Sequence, residues 1–208
     1  MNTAHLLTDK YRPTRTSDFL GLDKAKRLCS KLIANPFESY YLFVGASGMG
    51  KTTLALALAN ELDAELHHVP SQSCTVEAIE RIHAKCQYVP MLGKKCHFIL
   101  IDEADQMSMA AQLCLLSMMD GTRKAPNTII VYTCNETTRL HDRFLSRCIA
   151  VDFSSYGIAK DATAMLERVW SEEAPATAPA PNFARLVKEA NNNVRAALMS
   201  LQKEIMFA

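Results

Sequence analysis

The sequence predicts an α/β fold in which helices cover both faces of a parallel β-sheet, followed by a small C-terminal all-helical lid. Three observations support it. Apolar runs of strand length alternate with helical patterns up to about residue 155, which is typical of parallel sheets. A glycine-rich turn joins one apolar run to an Ala- and Leu-rich helix, and from residue 156 the pattern is helical only. We expect a core over 1–155 and a lid over 156–208.

Five short apolar runs make up the predicted sheet. They lie at 40–44, 65–69, 97–101, 128–133 and 149–153. The runs HFILI (97–101) and TIIVYT (128–133) are apolar almost throughout, as expected for strands that are covered on both faces.

The segments between and after these runs have helical periodicity. The predicted helices are 23–34, 52–62, 75–86 and 108–119 in the core, and 159–170, 181–190 and 193–205 in the lid. Residues 1–21 are expected to form an irregular arm, because Pro13 and Gly21 interrupt it. The Pro/Ala-rich stretch APATAPAPN (174–182) is expected to be a loop.

Composition excludes several classes of protein. The 208 residues carry a net charge of +1, so any attraction to nucleic acid must come from a local patch. No apolar run approaches the ~18 residues of a membrane span, and the amino terminus lacks a signal-peptide core. Seven scattered cysteines without a C-x-x-C pair favour reduced, mostly buried thiols of a cytoplasmic protein. The His67-His68 pair has no evident third metal ligand nearby, so we expect ordinary buried or surface histidines.

The segment GASGMGKT at 45–52 matches the phosphate-binding pattern G-x-x-x-x-G-K-[ST] in full. Glycines let backbone N–H groups converge on phosphate oxygens, and the following helix presents its positive N-terminus to the same anion. Lys51 is expected to reach the β- and γ-phosphates, and the Thr52 hydroxyl to bind Mg²⁺. A chance glycine turn is the alternative, which the flanking strand and helix disfavour. The predicted binding residues are Gly45, Ala46, Ser47, Gly48, Met49, Gly50, Lys51, Thr52 and Thr53.

Acidic residues follow the apolar run 97–101 directly. Asp102 is expected to emerge at the carboxyl edge of the sheet, where ligands bind in such folds, and to hold Mg²⁺ together with Thr52. Glu103 is placed to polarise an attacking water. Two acids in this position can also be a solvated helix start, but with the glycine loop they predict hydrolysis of ATP or GTP.

With four further elements, these residues resemble the AAA+ ATPases, and among them the small subunits of sliding-clamp loaders of the replication factor C type and their phage counterparts. The likeness extends over nearly the whole chain. KYRPTRTSDFLG (10–21) resembles the amino-terminal box of that family, which wraps the adenine. The residues that the resemblance places in the base pocket are Tyr11, Arg12, Pro13, Leu20 and Gly21.

The other three elements resemble catalytic parts of the family. TCNET (133–137) is similar to the sensor-1 strand end, which makes Asn135 the polar residue near the γ-phosphate. LSRC (145–148) is similar to the Ser-Arg-Cys element, whose arginine, here Arg147, reaches the site of the neighbouring subunit. NNNVRAALMSLQ (191–202) resembles the sensor-2 helix of the lid, with Arg195 as the sensor. Taken alone, Asn135 would be a turn residue, and the two arginines would be surface charges.

The sequence also departs from the family pattern. Asn192-Asn193 stand where Gly-Asp is usual, although Asn tolerates the left-handed conformation that the turn needs. HHVPSQSCT (67–75) replaces an Asn-Ala-Ser-Asp run, which puts coupling of Glu103 to DNA in doubt. Leu115, Leu116 and Ser117 stand where the family has arginines. The resemblance ends with the lid, and the C-terminal collar of the family is expected to be lacking.

The resemblance implies partners as well as chemistry. ATP and Mg²⁺ are the expected cofactors, and self-assembly into a ring or helical filament in the cytoplasm of a bacterial or phage-infected cell is the expected state. DNA is expected to contact Arg81 and Lys85, with Lys94-Lys95 and Arg123-Lys124 as further basic pairs. Such sparse pairs are also common on solvated surfaces. A sliding clamp or another protein is a possible partner, and a membrane is not.

Two functions remain open, and a third is disfavoured. The first is an ATP-hydrolysing clamp-loader-type protein that closes a ring or arc on DNA or on a DNA-bound partner. The second is an ATP-dependent oligomerising switch that recruits an effector, such as a nuclease or transposase, without clamp loading. A small-molecule kinase would leave Asn135, Arg147 and Arg195 without a role.

Overall fold

A computed structural model describes residues 6–121 and 123–207. Positions 1–5, 122 and 208, which fall in the predicted arm, core and lid, lie outside the described residues. The core is one five-stranded sheet with the strand order β2-β3-β4-β1-β5, and every pairing is parallel. Its strands are β1 (Ser39–Gly45), β2 (Glu65–Pro70), β3 (His97–Asp102), β4 (Thr128–Cys134) and β5 (Ile149–Phe153). The predicted α/β fold is confirmed.

Nine α-helices surround or follow this sheet in the described part of the chain. They are α1 (Leu7–Lys10), α2 (Asp23–Ala34), α3 (Lys51–Glu61), α4 (Val76–Cys86), α5 (Met109–Met119), α6 (Asp142–Leu145), α7 (Ala159–Glu173), α8 (Phe183–Glu189) and α9 (Val194–Met206). Between residues 6 and 121 and between 123 and 207, none of them is long and apolar enough to cross a membrane.

The two faces of the sheet bury two separate apolar clusters. Phe98 and Leu100 of β3 face α2 and α3, whereas Ile99 and Ile101 face α4 and α5. Successive side chains of a strand point to opposite faces, so the apolar run of β3 is buried on both sides. This burial explains why the run has no polar alternation.

Three predicted helices begin one residue too early, because the predicted first residue is an N-cap. The side chains of Thr75, Ser108 and Asn193 accept hydrogen bonds from the backbone N–H groups of Ala78, Ala111 and Ala196, at 3.2, 3.2 and 3.1 Å. Such caps satisfy backbone donors that lack an intrahelical partner. Helix α7 runs to Glu173, past the predicted end at residue 170.

The amino-terminal arm is not wholly irregular, since it contains the four-residue helix α1. Leu7 of α1 belongs to the apolar cluster of α7, α8 and α9, and its N–H donates to Gln202 Oε1 at 2.8 Å. The Tyr11 hydroxyl oxygen lies 2.6 Å from carboxylate oxygens of both Glu172 and Glu173, which share its one proton. The arm therefore packs against the lid as well as leading into the core.

All seven cysteines carry free thiols, as the sequence predicts. Burial raises the pKa of the thiols of Cys29 and Cys148 to about 12, and that of Cys74 and Cys134 to about 11. Thiolates are the reactive form, so these thiols are structural and unreactive.

Candidate functional site

The glycine-rich loop of residues 45–50 joins β1 to α3 at the carboxyl edge of the sheet. A Cβ on Gly45 would lie 2.3 Å from the carbonyl oxygen of Phe153, and a Cβ on Gly48, where φ is +79°, would lie 2.6 Å from the Asn193 amide. Only glycine allows both approaches. The sequence predicts glycine here because phosphate must approach the backbone. The structure adds that β5 and the lid leave no space for a side chain at Gly45 and Gly48.

Lys51, the first residue of α3, reaches back over the loop. Its side-chain ammonium donates to the carbonyls of Gly45 and Ala46 at 2.6 and 3.0 Å, and to Asn135 Oδ1 at 3.0 Å. The residue is only 8% exposed, and this burial lowers the pKa of the ammonium. A buried cation held by neutral acceptors is favourably placed to receive an anion.

Thr52 and Asp102 meet at the end of β3. The Thr52 hydroxyl donates to Asp102 Oδ1 at 2.6 Å, and the Thr133 hydroxyl donates to the same oxygen. The second carboxylate oxygen lies 3.9 Å from His68 Nε2. A hydroxyl and a carboxylate side by side are the hard oxygen donors that Mg²⁺ prefers, so the residues predicted to bind the metal fit it.

Glu103 has an unusual backbone conformation, with φ +56°. A non-glycine residue in this left-handed region costs about 1–3 kcal/mol and is often found at functional sites. Its N–H donates to Thr133 Oγ1 at 3.1 Å, which holds the turn in place. The Glu103 side chain is exposed and lines the same cleft as Asp102.

Five of the six predicted catalytic residues line one cleft of 190 Å³. They are Lys51, Asp102, Glu103, Asn135 and Arg195, which come from α3, the ends of β3 and β4, and the lid. The cleft is polar and lies directly over the glycine loop. This convergence joins residues that are far apart in the sequence.

A larger cleft of 890 Å³ adjoins the first and is lined by the arm, the loop and the lid. Tyr11, Arg12, Pro13 and Leu20, which the resemblance places in the base pocket, all line this cleft. Gly21 does not, but its position is explained: φ is +58°, and a Cβ would lie 2.5 Å from Ile158 Cγ2. The sequence-based prediction missed the apolar lining residues of the lid, Ile158, Met165 and Leu198, since their spacing resembled an ordinary helix core.

The lid turn has asparagines where Gly-Asp is usual in the family, and two of its residues are left-handed. Asn191 and Asn192 adopt φ of +52° and +58°, as the tolerance of Asn for this region predicts. Asn193 Oδ1 caps α9, and its Nδ2 donates to the Ser47 carbonyl at 2.7 Å. This hydrogen bond links lid and glycine loop, and it brings Arg195 to both clefts.

A match to a protein-family model shows the family to which this chain belongs. The model described as "ATPase family associated with various cellular activities (AAA)" matches residues 41–155, more than half of the chain. The chain belongs to the AAA family of ATPases. The match begins within β1 and ends just past β5, so it includes the glycine loop, Asp102, Glu103 and Asn135 of the AAA core.

Two relatives of the AAA chain are small subunits of replication factor C. Small subunit 1 of Pyrobaculum arsenaticum is 31% identical over 153 residues, which cover 70% of this chain and 46% of that protein. The small subunit of Methanocella arvoryzae is 27% identical over 208 residues, which cover 97% of this chain and 63% of that protein. The AAA chain therefore spans about half to two thirds of the length of these relatives.

A solved structure shares the fold. The RuvB Holliday-junction branch-migration motor of Thermotoga maritima aligns with a TM-score of 0.72 at 21% identity, over 92% of this chain and 64% of that one. The alignment includes most of the lid and confirms the predicted AAA architecture with a helical C-terminal region.

Arg147, the sixth predicted catalytic residue of the AAA chain, lies outside both clefts. Its Nε donates to Asp120 Oδ1 at 3.0 Å, and its Nη1 donates to the Arg143 carbonyl at 2.9 Å. The side chain is 37% exposed. The structure thus does not bring Arg147 to the nucleotide site of its own chain.

Some of the basic residues predicted to contact DNA form ion pairs with carboxylates, and others do not. Arg123 pairs with Glu80 at 2.7 Å and Lys94 with Asp63 at 2.6 Å, while Lys124 lies 3.8 Å from a Glu38 carboxylate oxygen. Arg81, Lys85 and Lys95 are exposed and have no carboxylate within 4.0 Å among residues 6–121 and 123–207. These three are the described cations of this set that are free to meet phosphate.

Proposed function

We propose that the chain is a clamp-loader-type ATPase, which binds and hydrolyses ATP with Mg²⁺ and acts in a ring or arc on DNA or on a DNA-bound partner. The observation that carries this proposal is the convergence of Lys51, Asp102, Glu103 and Asn135 on one cleft over the glycine loop. The likeness to replication factor C small subunits supports the clamp-loader type. Because the chain spans only part of those proteins, assembly and partners belong to the proposal.

When ATP binds, the Lys51 ammonium would exchange its present hydrogen-bond acceptors for phosphate oxygens. Its ammonium now donates to the Gly45 and Ala46 carbonyls, and phosphate oxygens would replace these neutral acceptors with charged ones, which bind about twice as strongly. Thr52 and Asp102 would hold Mg²⁺, which neutralises charge on the phosphate oxygens when it is bound. The 890 Å³ cleft beside Tyr11, Arg12 and the lid is large enough for the adenosine.

Hydrolysis requires a water to be oriented and polarised. The exposed Glu103 carboxylate is a proton acceptor on one wall of the small cleft, and its turn is fixed through Thr133. The Asn135 amide, which accepts from Lys51, leaves its NH₂ group free to orient the same water. General bases of this kind contribute ~10²–10⁴-fold to rate.

Arg147 has a catalytic use only in an assembly. A planar cation supplied by a neighbouring subunit can stabilise the charge of phosphoryl transfer by ~10³–10⁵-fold. We assign this role to Arg147 because it is partly exposed and lies away from the clefts of its own chain. The Asp120 pair would hold it in the isolated subunit, and a surface pair of this kind is worth only ~0–1 kcal/mol.

An ATP-dependent switch that recruits an effector is the second candidate. It is favoured by an exposed apolar segment of the loop after α4: Tyr88, Val89, Met91 and Leu92 are 75%, 86%, 68% and 93% exposed. Exposed apolar groups of this size often mark sites of protein interaction.

Stimulated ATPase activity distinguishes the two candidates. Turnover is measured for the chain alone, with primed DNA, with a sliding clamp, and with both; the Glu103→Gln variant shows how much turnover comes from this site. The clamp-loader type predicts that DNA and clamp together stimulate most. Turnover that neither component changes, in a chain that self-assembles on ATP, would contradict clamp loading and support the switch.

A further inference from the structure

A cluster of metal-ligating side chains lies at the edge of the sheet, opposite the end that carries the nucleotide cleft. Glu65 and His67 lie on the edge strand β2, His97 begins β3, and Cys86 ends α4. Parallel pairing sets Glu65 beside His97, and strand alternation puts both histidines on the face that α4 covers. Asp102 is five residues along β3 from His97, or about 16 Å at ~3.3 Å per residue.

The ligand atoms of three of these side chains lie close enough together to converge on one metal ion, with the Glu65 carboxylate beside them. His67 Nε2 and His97 Nδ1 are 3.2 Å apart, and the ligand atoms of His67, Cys86 and His97 all lie within 4.8 Å of one another. The Glu65 carboxylate oxygens lie 3.8 Å from His67 Nε2 and 3.6 Å from His97 Nδ1. Zinc–nitrogen and zinc–sulfur bonds of ~2.0–2.3 Å place tetrahedral ligands about 3.3–3.6 Å apart.

Hydrogen bonding orients His97 as a ligand. Its Nε2 lies 2.9 Å from the Tyr88 carbonyl oxygen, which can only accept, so Nε2 carries the proton. The Nδ1 lone pair is therefore directed at His67 and Glu65. Such a hydrogen bond on the far nitrogen is the usual outer-shell support of a metal-bound histidine.

The other members are also prepared for this role. His67 Nε2 lies 3.2 Å from His97 Nδ1, so the two imidazoles present ring nitrogens to the same point, where each would bind a metal in its neutral form. Glu65 Oε2 accepts the Met91 N–H at 2.7 Å, so the carboxylate is fixed from the loop side. The His67 side chain is 9% exposed, against 2% for His97, and is therefore the more accessible of the two histidines.

We propose that Glu65, His67, Cys86 and His97 bind one Zn²⁺, which fastens the edge strand β2 and the end of α4 to β3. Two neutral imidazoles, one carboxylate and one thiolate make up a four-coordinate donor set typical of zinc. The Cys86 thiol releases its proton to solvent as the Zn–S bond forms, because the thiolate is the form that binds metal. The two ligand anions then balance the charge of the ion.

Cobalt substitution tests the site in the full chain. After chelator treatment, Co²⁺ is added in the presence of excess Mg²⁺, which occupies oxygen-donor sites. We expect one Co²⁺ per chain with a thiolate charge-transfer band and tetrahedral d–d bands, all displaced by one equivalent of Zn²⁺. Cys86→Ala is expected to abolish the charge-transfer band and to weaken zinc binding by more than the ~10–100-fold cost of losing an outer-shell partner.

Cys96→Ala is the matched control, since Cys96 is also buried but belongs to the cluster on the opposite face. It is expected to keep the band and the zinc affinity. His67→Ala, at the most exposed histidine of the site, supplies a second test if Cys86→Ala does not fold, and it is expected to lose tight zinc binding. The proposal is overturned if the wild-type chain binds no stoichiometric metal, if bound Co²⁺ lacks the charge-transfer band, or if Cys86→Ala retains it.

Discussion

Replacing Asn193 with alanine is expected to loosen the lid and to weaken nucleotide binding. The side chain makes two hydrogen bonds: it caps α9 through Ala196, and it donates to the Ser47 carbonyl in the glycine loop. Loss of an N-cap costs ~0.5–2 kcal/mol, and loss of a neutral hydrogen bond costs ~0.5–1.5 kcal/mol. The free energy of unfolding should therefore fall by about 1–3.5 kcal/mol.

Of the two Asn193 hydrogen bonds, the one to Ser47 joins the lid to the phosphate loop, so its loss should lower the affinity for nucleotide. A loss of ~0.5–1.5 kcal/mol corresponds to a roughly 2–13-fold increase in the Kd for ATP. Asn182→Ala is the matched control, since Asn182 caps α8 in the same way through the Arg185 N–H, at 2.9 Å, away from the loop. Urea unfolding and titration with a fluorescent ATP analogue measure the two quantities.

Comparing the two variants separates the effect of losing a helix N-cap from the effect of losing the hydrogen bond between Asn193 and Ser47. Both should lose stability, but only Asn193→Ala should lose affinity for ATP. Equal affinities in the two variants, with Asn193→Ala as destabilised as expected, would refute the idea that this hydrogen bond holds the lid in its binding position.

Three other variants test the site. Glu103→Gln should bind ATP normally and turn it over ~10²–10⁴-fold more slowly, measured as phosphate release; unchanged turnover would remove Glu103 from catalysis. Arg147→Ala should reduce the ATPase activity of the assembly without changing the ATP affinity of a single subunit, and mixing it with Lys51→Ala subunits should restore part of the activity if Arg147 acts across an interface. Asp120→Ala frees that arginine from a pair worth at most ~1 kcal/mol, so it should raise assembled ATPase activity by no more than about fivefold; a large loss of activity would show that the pair itself is needed.

Local patterns in the sequence are sufficient to predict the sheet and the centre of the site. Strands β3 and β4 are buried on both faces, so nearly all of their residues are apolar. Continuous apolar runs of this length are therefore recognisable as strands from the sequence. Lys51, Thr52 and Asp102 lie in short sequence motifs. The chemistry of these motifs predicts a phosphate beside Lys51 and Mg²⁺ beside Thr52 and Asp102. The structure then supplies the contacts themselves, such as the 2.6 Å bond from Thr52 to Asp102.

Contacts between segments that are far apart in the chain could not be predicted from local sequence patterns. Asn193 appears in the sequence only as a departure from the family pattern, yet in the structure it joins the lid to Ser47, 146 residues earlier. The close approach of Gly21 to Ile158 depends on how the chain packs, and the sequence shows Gly21 only as a predicted base-pocket residue. The ligand cluster of His67 depends on strand pairing and on where α4 ends, and neighbouring His68 faces Asp102 on the other side of the sheet.

Equilibrium binding of ATP in the presence of Mg²⁺ tests the central claim most directly, namely that the chain grips a triphosphate in the cleft over its glycine loop. The wild-type chain should bind one ATP per subunit, and Lys51→Ala should lose that binding. Lys188→Ala, which removes an exposed lysine of α8, should retain it. A wild-type chain that does not bind ATP, or a Lys51→Ala variant that binds it as tightly as the wild type, would contradict the account.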